Sequence, residues 1–187
     1  KTIDNYFIFM IPLVFYGCLK SRVLLGMFRG ETYSAHSDIF IWTVLGIFMY
    51  GISLLCHKYY ECTQQTNMIL MINIIAALFN IVSNFILIPI LGFGVASFTT
   101  FASYVLYFII VRILTYKKFK ISVDCSSLIK VLISVVLFFF LDWFIVRYDS
   151  IISFFIEGII YVLYTCVYYQ LTKVIDIREI ISKIYTR

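Results

Sequence analysis

Four charged side chains, Lys20, Arg22, Asp142 and Glu157, interrupt or border runs of otherwise apolar residues. Charge at membrane depth is expensive, and it is kept where it handles an ion or an anionic substrate, or where it reaches back to the interface by snorkelling. Asp142 and Glu157 stand seven and eight residues to either side of Asp149. At about 1.5 Å per residue, each falls roughly 10 Å in from an outer turn centred there. The two carboxylates can therefore face each other. Lys20 and Arg22 lie near the outer third of the first apolar run, within reach of an ion pair with either acid. Two positions apart on a helix, they point to nearly opposite faces, so only one reaches a common cavity. Snorkelling and cavity charge both remain open for all four.

The uncharged polar residues form a second group. Asn73, Asn80 and Asn84 are spaced by seven and four residues, which places them on one helix face. Such a stripe either bonds helix to helix or lines a hydrophilic cavity. Ala96, Thr99, Thr100 and Ser103 recur at the small-x-x-x-small spacing that lets two helix backbones approach closely. The five cysteines are scattered without a C-x-x-C pair, and His36 and His57 are far apart in sequence. Neither set forms the clustered thiolates or imidazoles of a metal site, so no metal or cofactor is implied. No paired-His helix motif, nucleophile elbow or phosphate-cradling glycine loop is present, and enzyme chemistry is not indicated.

The elements that must position these residues follow from composition. Hydrophobic residues make up 63% of the 187 residues and charged residues only 13%, against roughly 25% charge in ordinary soluble domains. The predicted architecture is all-α, six transmembrane helices forming one bundle, with no length left for a soluble catalytic domain. The spans fall at about 6–27, 38–56, 67–89, 93–116, 127–146 and 151–171, followed by an amphipathic tail over 172–187. Pro12 falls in the first span, where a membrane helix tolerates it if a neighbour re-satisfies the freed carbonyl. A Pro-x-x-Gly turn at Pro89 and Gly92 makes the third and fourth spans an antiparallel hairpin. One side of the membrane collects eleven Lys and Arg and the other four, namely Lys20, Arg22, Arg29 and Arg147. The positive-inside rule then puts both termini in the cytoplasm. The Lys117, Lys118, Lys120 run is a topology signal or a contact with anionic head groups.

Residues 67–112, NMILMINIIAALFNIVSNFILIPILGFGVASFTTFASYVLYFIIV, resemble the most recognisable segment of the Wzx-type polysaccharide flippases, which carry O-antigen or capsule repeat units. These belong to the multidrug, oligosaccharidyl-lipid and polysaccharide exporter superfamily. The features that carry the resemblance are Asn80, Asn84, Ile88-Pro89, Gly92, Ala96 and Ser103-Tyr104, with Gly30, Tyr33 and Ala35 upstream. The family's second glycine usually falls three places after the first, whereas here Gly94 follows Gly92 by two and Val95 holds that place.

The resemblance implies spans seven to twelve of a twelve-span transporter made of two six-helix bundles. A start at Lys1 with no signal-peptide h-region agrees with such a half. The whole would flip an undecaprenyl-diphosphate-linked oligosaccharide across the bacterial inner membrane by alternating access. Its partners would be the lipid-linked oligosaccharide, the bilayer and the N-terminal half of the same protein, with no nucleic acid. Lys20, Arg22, Asn80 and Asn84 would then face a wet, partly cationic cavity. The alternatives are a membrane-embedded glycan polymerase, which needs a large outer loop with Arg and His, and a non-catalytic membrane scaffold. The longest outer segment, residues 29–38, is too short for the first.

Overall fold

The computed structural model describes residues 2–29, 36–117, 123–144 and 151–174. Gly30, Tyr33, Ala35, Lys118, Lys120, Arg147, Asp149 and the tail from 175 onward lie outside them. The helices run α1 (Thr2–Leu19), α2 (Ser21–Arg29), α3 (Ser37–Cys62), α4 (Thr66–Leu91), α5 (Val95–Thr115), α6 (Cys125–Phe144) and α7 (Ile151–Leu171). All but α2 are long and apolar enough to cross a bilayer. Large apolar side chains point outward along them, with Phe85 83% exposed and Ile90 72% exposed. In water such a surface would aggregate, whereas in hydrocarbon it is the ordinary solvent contact. The chain is an all-α, multi-pass membrane protein with no strand among the described residues.

Two departures from the expected spans bear on the polar residues. The first expected span, 6–27, is broken at Lys20, where α1 stops and the short α2 begins with Leu24 N–H donating to the Lys20 carbonyl at 2.9 Å. The run Lys20-Ser21-Arg22 is polar enough to let the chain leave one helix axis, which averaging over apolar neighbours conceals. The second span was expected to end at residue 56, yet α3 continues to Cys62. Hydropathy falls at the first charges, whereas backbone hydrogen bonding carries the helix on and takes His57, Lys58 and Glu61 with it.

By packing, the chain divides into two compact units, Lys1–Tyr16 with Val123–Arg187, and Gly17–Ser122. In the first unit, most of α1 packs with α6 and α7. Pro12 removes the N–H that would bond the carbonyl one turn back, at Ile8. The Tyr169 hydroxyl on α7 donates to that Ile8 carbonyl at 2.9 Å, and the Tyr161 hydroxyl donates to the Pro12 carbonyl at 3.1 Å. Tyr169 and Ile8 are buried together with Val131 of α6. Asp124 caps α6, accepting from Ser126 N–H at 3.1 Å and from the Ser127 hydroxyl at 2.6 Å. Its own N–H donates to the Asp4 carboxylate at 2.9 Å, which fixes the start of α6 to the start of α1. The Ser127 hydroxyl, aided by backbone N–H groups, holds the Asp124 carboxyl below the usual carboxylate range.

In the second unit, α3 and α5 run parallel along an aromatic ladder. Trp42 meets Phe98 and Phe101 at 5.0 and 5.3 Å between ring centroids, and Tyr50 meets Tyr104 and Tyr107 at 4.9 and 5.8 Å. Between these rungs sits Gly46, where a Cβ would stand 3.3 Å from the Phe101 Cα and 3.2 Å from the Tyr104 ring. A larger residue at Gly46 would push the two backbones apart. The helix α4 returns antiparallel to α5 through the turn at Gly92, whose φ of 82° and ψ of 176° lie in a region that only glycine adopts without strain.

Gly92→Ala should lower the unfolding free energy in detergent micelles by about 1–3 kcal/mol through that dihedral strain, since nothing lies within 4 Å of the added Cβ. Gly94 is helical at φ −58° and ψ −26°. Gly94→Ala should therefore change stability by less than about 0.5 kcal/mol, and equal losses from the two variants would contradict this turn.

Candidate functional site

The polar residues at membrane depth separate by what their hydrogen bonds consume. In the second unit, Asn84 Nδ2 donates to Asn80 Oδ1 at 3.1 Å and Asn80 Nδ2 donates to Thr100 Oγ1 at 3.4 Å. Thr99 Oγ1 stands within a short hydrogen bond of Asn84 Oδ1 and 2.9 Å from the Ala96 carbonyl. Its single hydroxyl proton serves one acceptor at a time. Ser103, four residues on, donates to the Thr99 carbonyl at 2.7 Å. Thr99 and Ser103 are buried, as small residues at a close helix contact should be. Asn80 and Asn84 thus bond α4 to α5, while Asn73 is exposed and is not joined to them. Amides engaged in this way act first as helix-to-helix adhesive.

Lys20 and Arg22 also belong to the second unit. Lys20, in the turn between α1 and α2, is buried, and Arg22 on α2 is exposed. This fits two side chains pointing to opposite faces.

The acids lie in the first unit, Asp142 near the end of α6 and Glu157 six residues into α7, and they are 2% and 8% exposed. Both carboxylates act electrostatically on the Tyr16 hydroxyl of α1, so the three groups are near neighbours. Tyr16 is held by donating to the Phe154 carbonyl at 2.7 Å and by stacking on Tyr161 at 5.2 Å. Gly158, next to Glu157, leaves room for that hydroxyl, which would lie 3.2 Å from an added Cβ. Two buried carboxylates beside one hydroxyl gather acceptor oxygens within the first unit. Carboxylate oxygens are the ligand type that hard cations and protons take.

One polar cluster escaped the sequence reading. His57 on α3 is buried between Tyr107 of α5 and Glu61, with Nδ1 2.8 Å from the Tyr107 hydroxyl and Nε2 2.8 Å from Glu61 Oε1. Lys58 Nζ donates to the other Glu61 oxygen. The i, i+4 spacing of His57 and Glu61 was available in the sequence. Hydropathy ends the apolar run at residue 56, one residue before this pair, while the helix runs on to Cys62. Near the same end of α3, the Tyr60 hydroxyl is buried with no hydrogen-bond partner among the described residues. Among the described residues no three His, Cys, Asp or Glu side chains gather as a metal site.

If the amide seam is adhesive, Asn84→Ala should cost about 0.6–1.7 kcal/mol of stability in micelles, and Asn73→Ala less than about 0.5 kcal/mol. A larger loss at Asn73 than at Asn84 would show that the seam does not hold α4 to α5. Compared with protein-family models, curated proteins and solved structures, the chain matches none.

Proposed function

We propose that this chain forms the second six-helix half of a Wzx-type flippase. It would translocate undecaprenyl-diphosphate-linked oligosaccharide repeat units across the bacterial inner membrane for O-antigen or capsule synthesis. The work is transport by alternating access rather than catalysis, and the partner within the protein is an N-terminal half of similar build. Both termini of this segment face the cytoplasm, as the eleven-to-four division of Lys and Arg favours.

Two lines support the reading. The segment 67–112 resembles the family in its asparagine-rich helix, Ile88-Pro89, Gly92 and small-residue return helix. The observation that carries most weight is the burial of Asp142, Glu157 and Lys20 in so apolar a chain. Intramembrane charge of this kind marks the path of a substrate or a coupling ion. Each unit contributes its own charge, the acids in one and the lysine in the other.

The test is complementation of a strain lacking the gene, using the full-length protein carrying Asp142→Asn or Glu157→Gln. Surface glycan should fall at least about tenfold, equivalent to about 1.4 kcal/mol of lost barrier lowering. Lipid-linked oligosaccharide should accumulate while the amount of membrane-inserted protein is unchanged. Wild-type levels of surface glycan from both variants would remove the acids from the transport path.

A further inference from the structure

We infer that the face of α4 bearing Leu70, Asn73 and Ala77 is a contact between two copies of this chain in the membrane, with their Asn73 amides hydrogen-bonded to each other. The observation is a polar row that outruns its partner helix. Leu70, Asn73, Ala77, Asn80 and Asn84 follow at alternating spacings of three and four residues, so they share one face of α4 and repeat as coiled-coil contacts do. At one end of the row, Asn80 and Asn84 bond to Thr100 and Thr99 of α5. At the other end, Leu70, Asn73 and Ala77 are exposed. The helix is thinly covered throughout, with only Ile72 and Ala76 buried among its 26 residues.

Hydrocarbon makes an uncovered amide costly. At about 1.5 Å per residue, Asn73 stands about 8 Å from the midpoint of α4. A hydrocarbon core of about 30 Å reaches about 15 Å to either side of its midplane. Centred in the bilayer, the helix therefore holds this side chain among acyl chains, out of reach of water. What covers it must both donate and accept, since an amide carries N–H donors and a carbonyl acceptor. A second copy meets that demand by identity. Inserted in the same orientation and related by a two-fold axis along the membrane normal, it brings its own Asn73 to the same depth and the same face. One Nδ2 then donates to the other Oδ1, as Asn84 Nδ2 donates to Asn80 Oδ1 at 3.1 Å within one copy. Ala77, one turn on, has no bulk to hold the two helices apart. A single asparagine at such a contact fixes register and the number of helices that meet. The inference stands apart from the flippase reading, because association of two copies is measured with no transport.

The experiment uses the full-length protein in vesicles of phosphatidylethanolamine and phosphatidylglycerol, with copies per particle counted by single-molecule photobleaching as the protein-to-lipid ratio rises. The unsubstituted protein should pass from one copy to two. Asn73→Leu should weaken association by about threefold to thirtyfold, the range for one interhelical hydrogen bond in a membrane. Asn73→Gln keeps the amide and should keep the dimer. A second measurement locates the contact: with the native cysteines replaced by serine, oxidation of Ala77→Cys should give a disulfide-linked dimer. Ile75→Cys, on the opposite face of α4, should give none. A protein that stays single at every density would overturn the proposal. So would association unchanged by Asn73→Leu, equal losses from the Leu and Gln variants, or equal cross-linking at positions 75 and 77.

Discussion

The constraint on which the rest of the structure depends is the one that hydrocarbon places on the backbone at Ile8. A proline four residues later leaves that carbonyl without its helical donor, and no water is available in the bilayer core to replace it. Tyr169 supplies the replacement from another helix. Because the donor sits near the far end of α7, the repair also fixes which stretch of α7 lies against α1. Tyr161, two turns earlier on α7, adds a second hydroxyl tie between the same two helices at the Pro12 carbonyl. Tyrosine suits this role, since its ring is apolar body and its hydroxyl a reaching donor. The tyrosine richness of the chain, fifteen residues in all, thereby has a structural use.

The same rule sorts the remaining polar groups. Asn80, Asn84, Thr99 and Thr100 satisfy one another across two helices, and a group so engaged is committed to holding the fold. Asp142 and Glu157 are different in kind, because they are buried carboxylates rather than amides. His57 is buried with both ring nitrogens in hydrogen bonds, to Tyr107 and to Glu61. The buried polar residues therefore divide into uncharged ones that join helices and ionisable ones.

Much of this was legible in the sequence. The six membrane-length helices follow from apolar runs, and the hairpin follows from Pro89 and Gly92. The shared face of Asn80 and Asn84 and the close packing at Thr99 and Ser103 followed from spacing alone. Spacing could not show that Asn73 would be left off the seam, because helix periodicity gives a face and not a partner. Pro12 announced a freed carbonyl, but the donor is 161 residues away from Ile8, and no local pattern links them. His57 was missed for a different reason: hydropathy reports where apolar character ends, and the helix ends later. Lys20 was likewise placed within a continuous span, because a helix break needs only three polar residues and the surrounding leucines outweigh them in an average.

The most direct measurement of the central claim, that backbone groups stranded in hydrocarbon are rescued by specific side chains, is a double-mutant cycle on Tyr169 and Pro12. Tyr169→Phe in the native background should cost about 1–3 kcal/mol of unfolding free energy in micelles, the penalty of an unpaired buried acceptor. With Pro12→Ala, the new N–H at position 12 reaches the Ile8 carbonyl, and the cost of Tyr169→Phe should shrink by about 1 kcal/mol or more. An equal penalty in both backgrounds would mean that Tyr169 stabilises the protein by packing alone and that the Ile8 carbonyl does not depend on it.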